Sequence, residues 1–281
     1  MPELPEVETV KESLKPYLIG QKIIKTKVHV GKLIKHPSEN LFVEKIAGRT
    51  IVKIARRGKY LLFHLDQNLT LVIHLRMTGQ LLFFTKKAEY SRHTHLVFHF
   101  DSQRELRFID VRKFGLIYLV PTGNWEAIQG LKQLGVEPLS PDFTLDLFRE
   151  LLAGRKGMLK PFLLNQKGIA GIGNLYADEI LFRSGLHPKR KINTLDTEEI
   201  KELYGAIINT LKQAVLCRGT SFQNYVDGCG ELGGFQAHLQ VYGRGGKPCI
   251  YCQIPLQKIK VAGRGTVFCP CCQKAGDQER G

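Results

Sequence analysis

Apolar residues recur at three- and four-residue steps near the start of the chain: Leu4, Val7, Val10, Leu14 and Leu18. That period predicts an amphipathic helix over 3–18. Glu3, Glu6 and Glu8 fill its first turns and Lys11 and Lys15 its later ones, the order a helix dipole favours. Gly20 stops it, and Pro5 is tolerated because the first turn has no intrahelical donor to lose. From 21 to about 120 the period drops to two. KIIKTKVHV, TIVKIARR, KYLLFHL, LTLVIHLRM, QLLFF, HLVFHF, RELRFID and FGLIYLV are strand-length segments punctuated by Gly, Asp and Asn, which predicts an antiparallel sandwich or barrel. Gly and Pro crowd residues 121–150, where GVEPLSPDF reads as a connector. Helical periodicity returns over 143–217 in FTLDLFRELLAG, MLKPFLLNQ, NLYADEILFRSG and TEEIKELYGAIINTLKQAVL, with Asn174 expected to cap the third helix and Thr197 the last. After a loop-rich stretch FQAHLQVYGR is expected to resume a strand, and a cysteine-bounded hairpin follows over 247–272. Strands first and helices second make an α+β chain. No repeat of fixed period is present.

The chain has 281 residues, which at roughly 150 residues per domain suggests two domains. An apolar fraction of 43% excludes a disordered or collagen-like chain. No apolar run approaches the roughly 18 residues a membrane helix needs. MPELPEVE is acidic where an export signal is basic, so a cytoplasmic location is expected. The net charge is +15. Residues 1–120 carry 21 basic and 11 acidic side chains, residues 121–150 carry 2 and 5, and residues 151–281 carry 18 and 10. An acidic connector between two basic blocks suits two lobes that face one polyanion. Charge speaks to partners and not to fold: nucleic acid is the leading reading, with a solvated surface or a membrane surface as the plainer ones.

All seven cysteines lie at or after Cys217. Cys249, Cys252, Cys269 and Cys272 read C-x2-C-x16-C-x2-C, two knuckles set apart by a hairpin's length. Four thiolates close a tetrahedral structural zinc site and leave no open position for catalysis. Cys271, inside the second knuckle, offers an alternative C-x-C ligand. Cys217 and Cys229 read as a core thiol and a loop thiol. Between the knuckles, Gly263-Arg264-Gly265 forms a tip that presents one arginine, either solvated or aimed at DNA phosphate or a groove.

Pro2 carries distinctive chemistry. Removal of Met1 leaves a free secondary amine, and an α-amine with a pKa of about 7.7–8.0 is partly neutral at cellular pH. Such an amine attacks an aldehyde-like carbon and forms a cationic iminium that acts as an electron sink. Glu3 stands beside it as a proton donor, with Glu6 one turn on. The plainer reading of Pro2 is a chain start.

MPELPEVETV (1–10), RRGKYLLF (56–63), HLRMTG (74–79), DVRKFG (110–115), GIGNLYADEILF (171–182) and the closing finger with VAGRGT occur in one order. Over nearly the whole chain this resembles the formamidopyrimidine-DNA glycosylase family. The related endonuclease VIII branch usually has Gly in place of Leu4 and lacks HLRM. The resemblance implies a bifunctional base-excision repair enzyme that removes 8-oxoguanine and ring-opened formamidopyrimidines from double-stranded DNA. It then nicks the strand, or an abasic site, by β,δ-elimination. It also implies the architecture: an N-terminal antiparallel β-sandwich with a leading helix, a helix-two-turn-helix domain and a zinc-finger hairpin holding one zinc ion. The expected boundaries are 1–120 for the catalytic sandwich, 121–145 for the linker, 146–240 for the helical domain with its lesion-recognition loop, 241–274 for the finger and 275–281 for a disordered tail.

Matched motif by motif, the resemblance makes Pro2 the Schiff-base nucleophile at C1′ and Glu3 the acid/base that opens the sugar. Lys59 assists elimination and touches phosphate. Arg264 is the family's δ-elimination proton donor, although a guanidinium that stays charged is a poor acid and phosphate binding is easier to defend. Met77 fills the void left by the flipped base, Arg112 faces the orphaned cytosine and Phe114 wedges the step. Read without the family, these three are a core Met and Phe on strands and a surface Arg. Phosphate contacts fall to His74, His93, Lys156, Lys160, Asn174 and Tyr242, with Asn174 at a helix start that suits an anion. Gln223 stands where the family often has arginine, which bears on lesion preference. Cys229 and Cys271 are further departures. The competing readings are an endonuclease VIII-like enzyme for oxidised pyrimidines and a non-catalytic zinc-finger DNA-binding protein. One chain supplying the whole set is expected to act as a monomer.

Overall fold

The structure, a computed structural model, describes residues 1–85, 88–222 and 225–275. Gln223 and the expected tail beyond Ala275 lie outside the described residues. The chain divides into two compact units, Met1–Gln133 with Cys217–Gln236, and Leu134–Leu216 with Ala237–Gly281.

The first unit opens with α1 (Leu4–Leu18). Then come β1 (Ile23–Val28), β2 (Ile34–His36), α2 (Glu39–Ile46), β3 (Ile51–Arg57), β4 (Tyr60–Leu65), β5 (Leu69–His74), β6 (Gly79–Phe84), β7 (Thr94–Phe100), β8 (Glu105–Asp110) and β9 (Leu116–Pro121), with a short α3 (Gln129–Lys132). One sheet runs β1-β7-β8-β6 and the other β2-β9-β5-β4-β3. All pairs are antiparallel except β2 with β9. The period of two places every second residue inward: Leu61, Phe63 and Leu65 on β4, Leu71 and Ile73 on β5, Leu96, Phe98 and Phe100 on β7. These residues, with Leu106 and Phe108 of β8 and Ile117 and Leu119 of β9, form one core shared by the two sheets. Val7, Val10, Leu14 and Leu18 of α1 close it, as the helical period predicts. The helix α2 has no counterpart in the sequence reading. Its eight residues bury only Phe42 and Ile46, too short a run to show a period.

The second unit holds α4 (Leu145–Leu152), α5 (Leu159–Leu164), α6 (Asn174–Arg183) and α7 (Thr197–Leu216), then the hairpin β10 (Gln257–Val261) and β11 (Arg264–Phe268). Leu175 to Phe182 of α6 are all buried, so this helix is the unit's axis. Phe143, Phe148, Phe162 and Tyr204 pack ring against ring beside it. Among the described residues no helix is long and apolar enough to cross a membrane.

The structure departs from the sequence reading at four points. Residues 217–236, grouped by sequence with the helices, pack in the first unit. Phe83 N donates to Gly228 O (2.8 Å) and Gly228 N to Ser13 Oγ (2.9 Å). FQAHLQVYGR does not resume a strand: Phe235–His238 is a single tight 3-10 turn. Asn174 is the first residue of α6 and Gly173 its cap. Asp196, one residue before Thr197, caps α7 by exchanging bonds with Glu199 (2.8 and 3.1 Å).

Phe98 is fully buried in the shared core. Phe98→Ala is expected to cost about 3–5 kcal/mol, measured as a lowered urea midpoint of the full chain. A loss under about 1 kcal/mol would mean that the two sheets do not share one core.

Candidate functional site

The first unit gathers the sequence-predicted residues at one end of its sandwich. Pro2 and Glu3 are buried at the start of α1, while Met1 is 52% exposed. Glu3 caps the helix. Its side chain accepts the Glu6 backbone N–H, and Glu6 Oε2 accepts Glu3 N at 2.8 Å. Glu6 Oε1 accepts Thr220 N at 2.8 Å, so one buried carboxylate joins the start of the chain to the 217–236 segment. Arg56 of β3 donates to Glu8 Oε2 (2.7 Å) and to Gly58 O (2.9 Å). That ties α1 to the β3–β4 turn, where Gly58 takes a φ of 54°. Lys59 leaves this turn buried at the root of β4.

His74 ends β5 opposite Tyr60, whose ring meets it edge-on at 4.6 Å. Its Nδ1 accepts Arg76 N at 2.9 Å. Burial, then the charges of Arg76 and Lys59, push its pKa down to about 3. The ring is therefore neutral, carries its proton on Nε2 and can donate there but not act as a cation. His93 immediately precedes β7 and is half-buried, with Arg92 Nε 3.1 Å from its Nε2.

Met77 and Phe114 are not core residues on strands. They lie on the turns after β5 and β8, 44% and 49% exposed. Arg112 is exposed on the second turn, its guanidinium 4.5 Å above the Phe114 ring. Between the turns sits Asp110, fully buried and unremarked in the sequence beyond its place in DVRKFG. It accepts Thr78 Oγ1 (2.5 Å), Arg112 N (3.2 Å), Phe114 N (2.7 Å) and Gly115 N (2.8 Å).

The second unit holds the others. Lys156 is exposed before α5. Lys160 is not placed as a phosphate clamp. Its ammonium is 0% exposed and donates to Asp178 Oδ1 (2.6 Å), Thr266 Oγ1 (2.7 Å) and Gly265 O (3.2 Å). Its four-carbon stem reaches inward because α5 packs on α6 and a buried carboxylate waits there. Asp178 also accepts Val267 N (3.1 Å), and burial pushes its pKa up to about 6 against the pull of Lys160. Asn174 Nδ2 donates to the same Gly265 O (3.0 Å). The next acid, Glu179, is buried with a raised pKa and accepts Gln240 N, Val241 N and Tyr242 N at 2.8–3.1 Å. It thereby fixes the backbone of Tyr242. The hairpin turns at Ala262 and Gly263, both at positive φ, one residue before the expected tip, and exposed Arg264 begins β11.

Cys249, Cys252, Cys269 and Cys272 bring their sulfurs within 4.8 Å of one another. A tetrahedral zinc with 2.3 Å bonds sets its sulfurs about 3.8 Å apart. The Cys249–Cys272 pair is at 3.8 Å and the Cys252–Cys269 pair at 3.4 Å, so the donors fit the ion. Cys271 is exposed, and Cys272 completes the four-sulfur group. Zinc here would brace the hairpin and take no part in bond breaking.

Three family models match. Residues 1–117 match the formamidopyrimidine-DNA glycosylase N-terminal domain, residues 134–226 the H2TH domain of the same glycosylases, and residues 246–275 a zinc finger found in FPG and IleRS. The formamidopyrimidine-DNA glycosylase of Pelotomaculum thermopropionicum is 46% identical over 98% of this chain and 99% of its own. That of Heliobacterium modesticaldum is 47% identical over 98% and 100%. Among solved structures, a Lactococcus lactis FPG mutant with Fapy-dG-containing DNA superposes with a TM-score of 0.91 at 40% identity, over 97% of this chain and 100% of that one. The wild-type Lactococcus lactis protein with oxidised-pyrimidine DNA gives 0.90, at the same identity and coverage.

Two outcomes are expected. Cys252→Ala should lower bound zinc from one ion per chain to none by metal analysis, and Cys271→Ala should leave it at one; the reverse result would move the fourth ligand. Lys160→Met should cost about 3–5 kcal/mol by stranding Asp178. It should leave the salt dependence of DNA binding unchanged, whereas Lys156→Ala should make the log–log slope shallower by about 0.9. A shallower slope for folded Lys160→Met would return Lys160 to the phosphate.

Proposed function

Because the chain belongs to the formamidopyrimidine-DNA glycosylase family, it is a base-excision repair glycosylase with abasic-site lyase activity, and we propose that Pro2 is its nucleophile. The observation that carries this reading is the convergence, at one end of the first unit, of a buried Pro2 and Glu3 with Lys59 and the exposed Met77, Arg112 and Phe114. A protein that only binds DNA has no use for the first three.

Once Met1 is removed, the Pro2 nitrogen is a secondary amine, neutral in part at cellular pH. The damaged nucleotide leaves the stack. Met77 fills the space, Arg112 meets the orphaned cytosine and Phe114 wedges the neighbouring step. The Pro2 lone pair attacks C1′, and the C1′–N bond to the base breaks with a proton delivered to the leaving base. The sugar ring opens as its O4′ takes a proton from Glu3, and the nitrogen becomes an iminium. The iminium withdraws electrons, so loss of a C2′ proton expels the 3′ phosphate and a second elimination expels the 5′ phosphate. Lys59 assists these proton transfers and neutralises phosphate charge. His74, His93, Lys156, Asn174, Tyr242 and Arg264 hold phosphates, with Arg264 as a bound cation and not an acid. Lys160 anchors the finger.

The substrates are oxidised purines, 8-oxoguanine and formamidopyrimidines, and abasic sites in duplex DNA. The Lactococcus lactis relative bound to oxidised-pyrimidine DNA makes oxidised pyrimidines the second reading. The first unit is the catalytic domain, with residues 217–236 as its lesion loop, and the second unit grips DNA through its helices and zinc finger. The protein works as a monomer in the cytoplasm.

Borohydride trapping on a duplex with one 8-oxoguanine opposite cytosine tests the mechanism. A covalent band mapped to Pro2 is expected, and Pro2→Gly should reduce trapping and nicking at least about a hundredfold while leaving DNA affinity within about threefold. Equal losses of nicking and affinity would remove Pro2 from the chemistry. A band only on a thymine glycol duplex would favour the pyrimidine reading.

A further inference from the structure

We propose that Asp110 is a positioning residue that locks the Met77 turn and the Arg112–Phe114 turn into one rigid insert for the DNA duplex. The inference rests on the functional reading above and adds a residue and a coupling to it.

Each turn carries the chain from one sheet of the sandwich to the other. One joins β5 to β6 within 75–78 and the other joins β8 to β9 within 111–115. Each ends in a glycine with no room for a side chain. A Cβ at Gly79 would lie 2.3 Å from Leu75 O, and one at Gly115 would lie 2.3 Å from Phe108 Cζ. Each also contains a non-glycine residue at positive φ, Arg76 and Lys113, both at 57°. Such conformations persist only where the surroundings hold them.

His74 Nδ1 holds Arg76 N and the Asp110 carbonyl holds Lys113 N, and the Asp110 carboxylate ties the two turns to each other. An ionised carboxylate offers about four acceptor positions, and here four donors take them: the Thr78 hydroxyl and the N–H groups of Arg112, Phe114 and Gly115. Thr78 adjoins Met77, so its bond crosses from one turn to the other. Its oxygen in turn accepts Arg112 N at 3.2 Å. The Asp110 peptide is itself fixed, its carbonyl accepting His95 Nε2 (2.7 Å) and its N–H donating to His93 O (3.0 Å). Met77, Arg112 and Phe114 stand exposed on a mount that is buried and fully bonded. Side chains that replace a flipped base must enter together, because each alone leaves part of the gap unstacked. The clamp supplies that simultaneity before DNA arrives.

Thr78→Val removes the cross-turn bond with little change in shape, Thr78→Ser keeps the hydroxyl, and Asp110→Asn turns an amide donor toward backbone donors. Three readouts are compared: amide hydrogen exchange at Arg112, Phe114 and Gly115 in the DNA-free protein, unstacking of 2-aminopurine beside the lesion, and nicking of an abasic single strand, which needs no plug. Thr78→Val and Asp110→Asn should speed exchange about tenfold or more and slow duplex unstacking and excision about tenfold. Single-strand nicking should stay within about twofold, and Thr78→Ser should behave as wild type. Unchanged exchange, faster exchange with normal unstacking, or equal losses on duplex and single strand would each overturn the proposal. Should Asp110→Asn fail to fold, Thr78→Val against Thr78→Ser decides it. A wild-type protein inactive on every lesion would sink the functional reading, while the exchange data would still judge the clamp.

Discussion

Carboxylates withdrawn from water and surrounded by donors hold the working loops of this protein. An ionised carboxylate only accepts, so N–H groups converge on it, and displacing it strands several buried donors at once. Glu6 joins the start of α1 to the 217–236 segment, and Asp110 joins two turns of the sandwich. Asp178 and Glu179, consecutive on α6, hold the finger hairpin and the backbone of Tyr242. Burial raises the pKa of both α6 acids, while Lys160 beside Asp178 and the backbone donors around Glu179 pull it back down. The chain's +15 charge thus coexists with buried acids on which backbone donors converge.

The arrangement answers a general difficulty. Residues that enter DNA or touch phosphate must be exposed, and exposed residues sit on loops, which are the mobile parts of a fold. Under the proposed reading Met77, Phe114 and Arg264 are such residues; they are exposed, while their neighbours Thr78, Gly115 and Gly265 are tied to buried groups. The hairpin bearing Arg264 is fixed twice, by four sulfurs spaced for zinc and by Lys160 and Asn174 meeting at Gly265 O. Lys160 therefore supports the finger hairpin from inside the unit.

Much of this was legible along the chain. Period-two segments became strands, the period-3.6 segments became α1 and α4–α7, and the two cysteine knuckles closed on one four-sulfur cluster. The helix α2 was not legible, because eight residues with two buried side chains carry no measurable period. The strand expected near 235–244 became a turn, because the bonds available to Gln240, Val241 and Tyr242 come from a carboxylate on α6 and not from a neighbouring strand.

The classes of element, the zinc ligands and the motifs that name the chemistry could be read along the chain, since they depend on residue type and short spacing. That Met77 and Phe114 stand out on turns, that Lys160 turns inward and that residues 217–236 return to the first unit emerged with the assembled fold. Those outcomes rest on partners 18 to 214 residues away, such as Asp178 for Lys160 and Glu6 for Thr220. Burial and hydrogen-bond saturation are properties of the assembled neighbourhood, and no local pattern encodes which distant carboxylate will be waiting there.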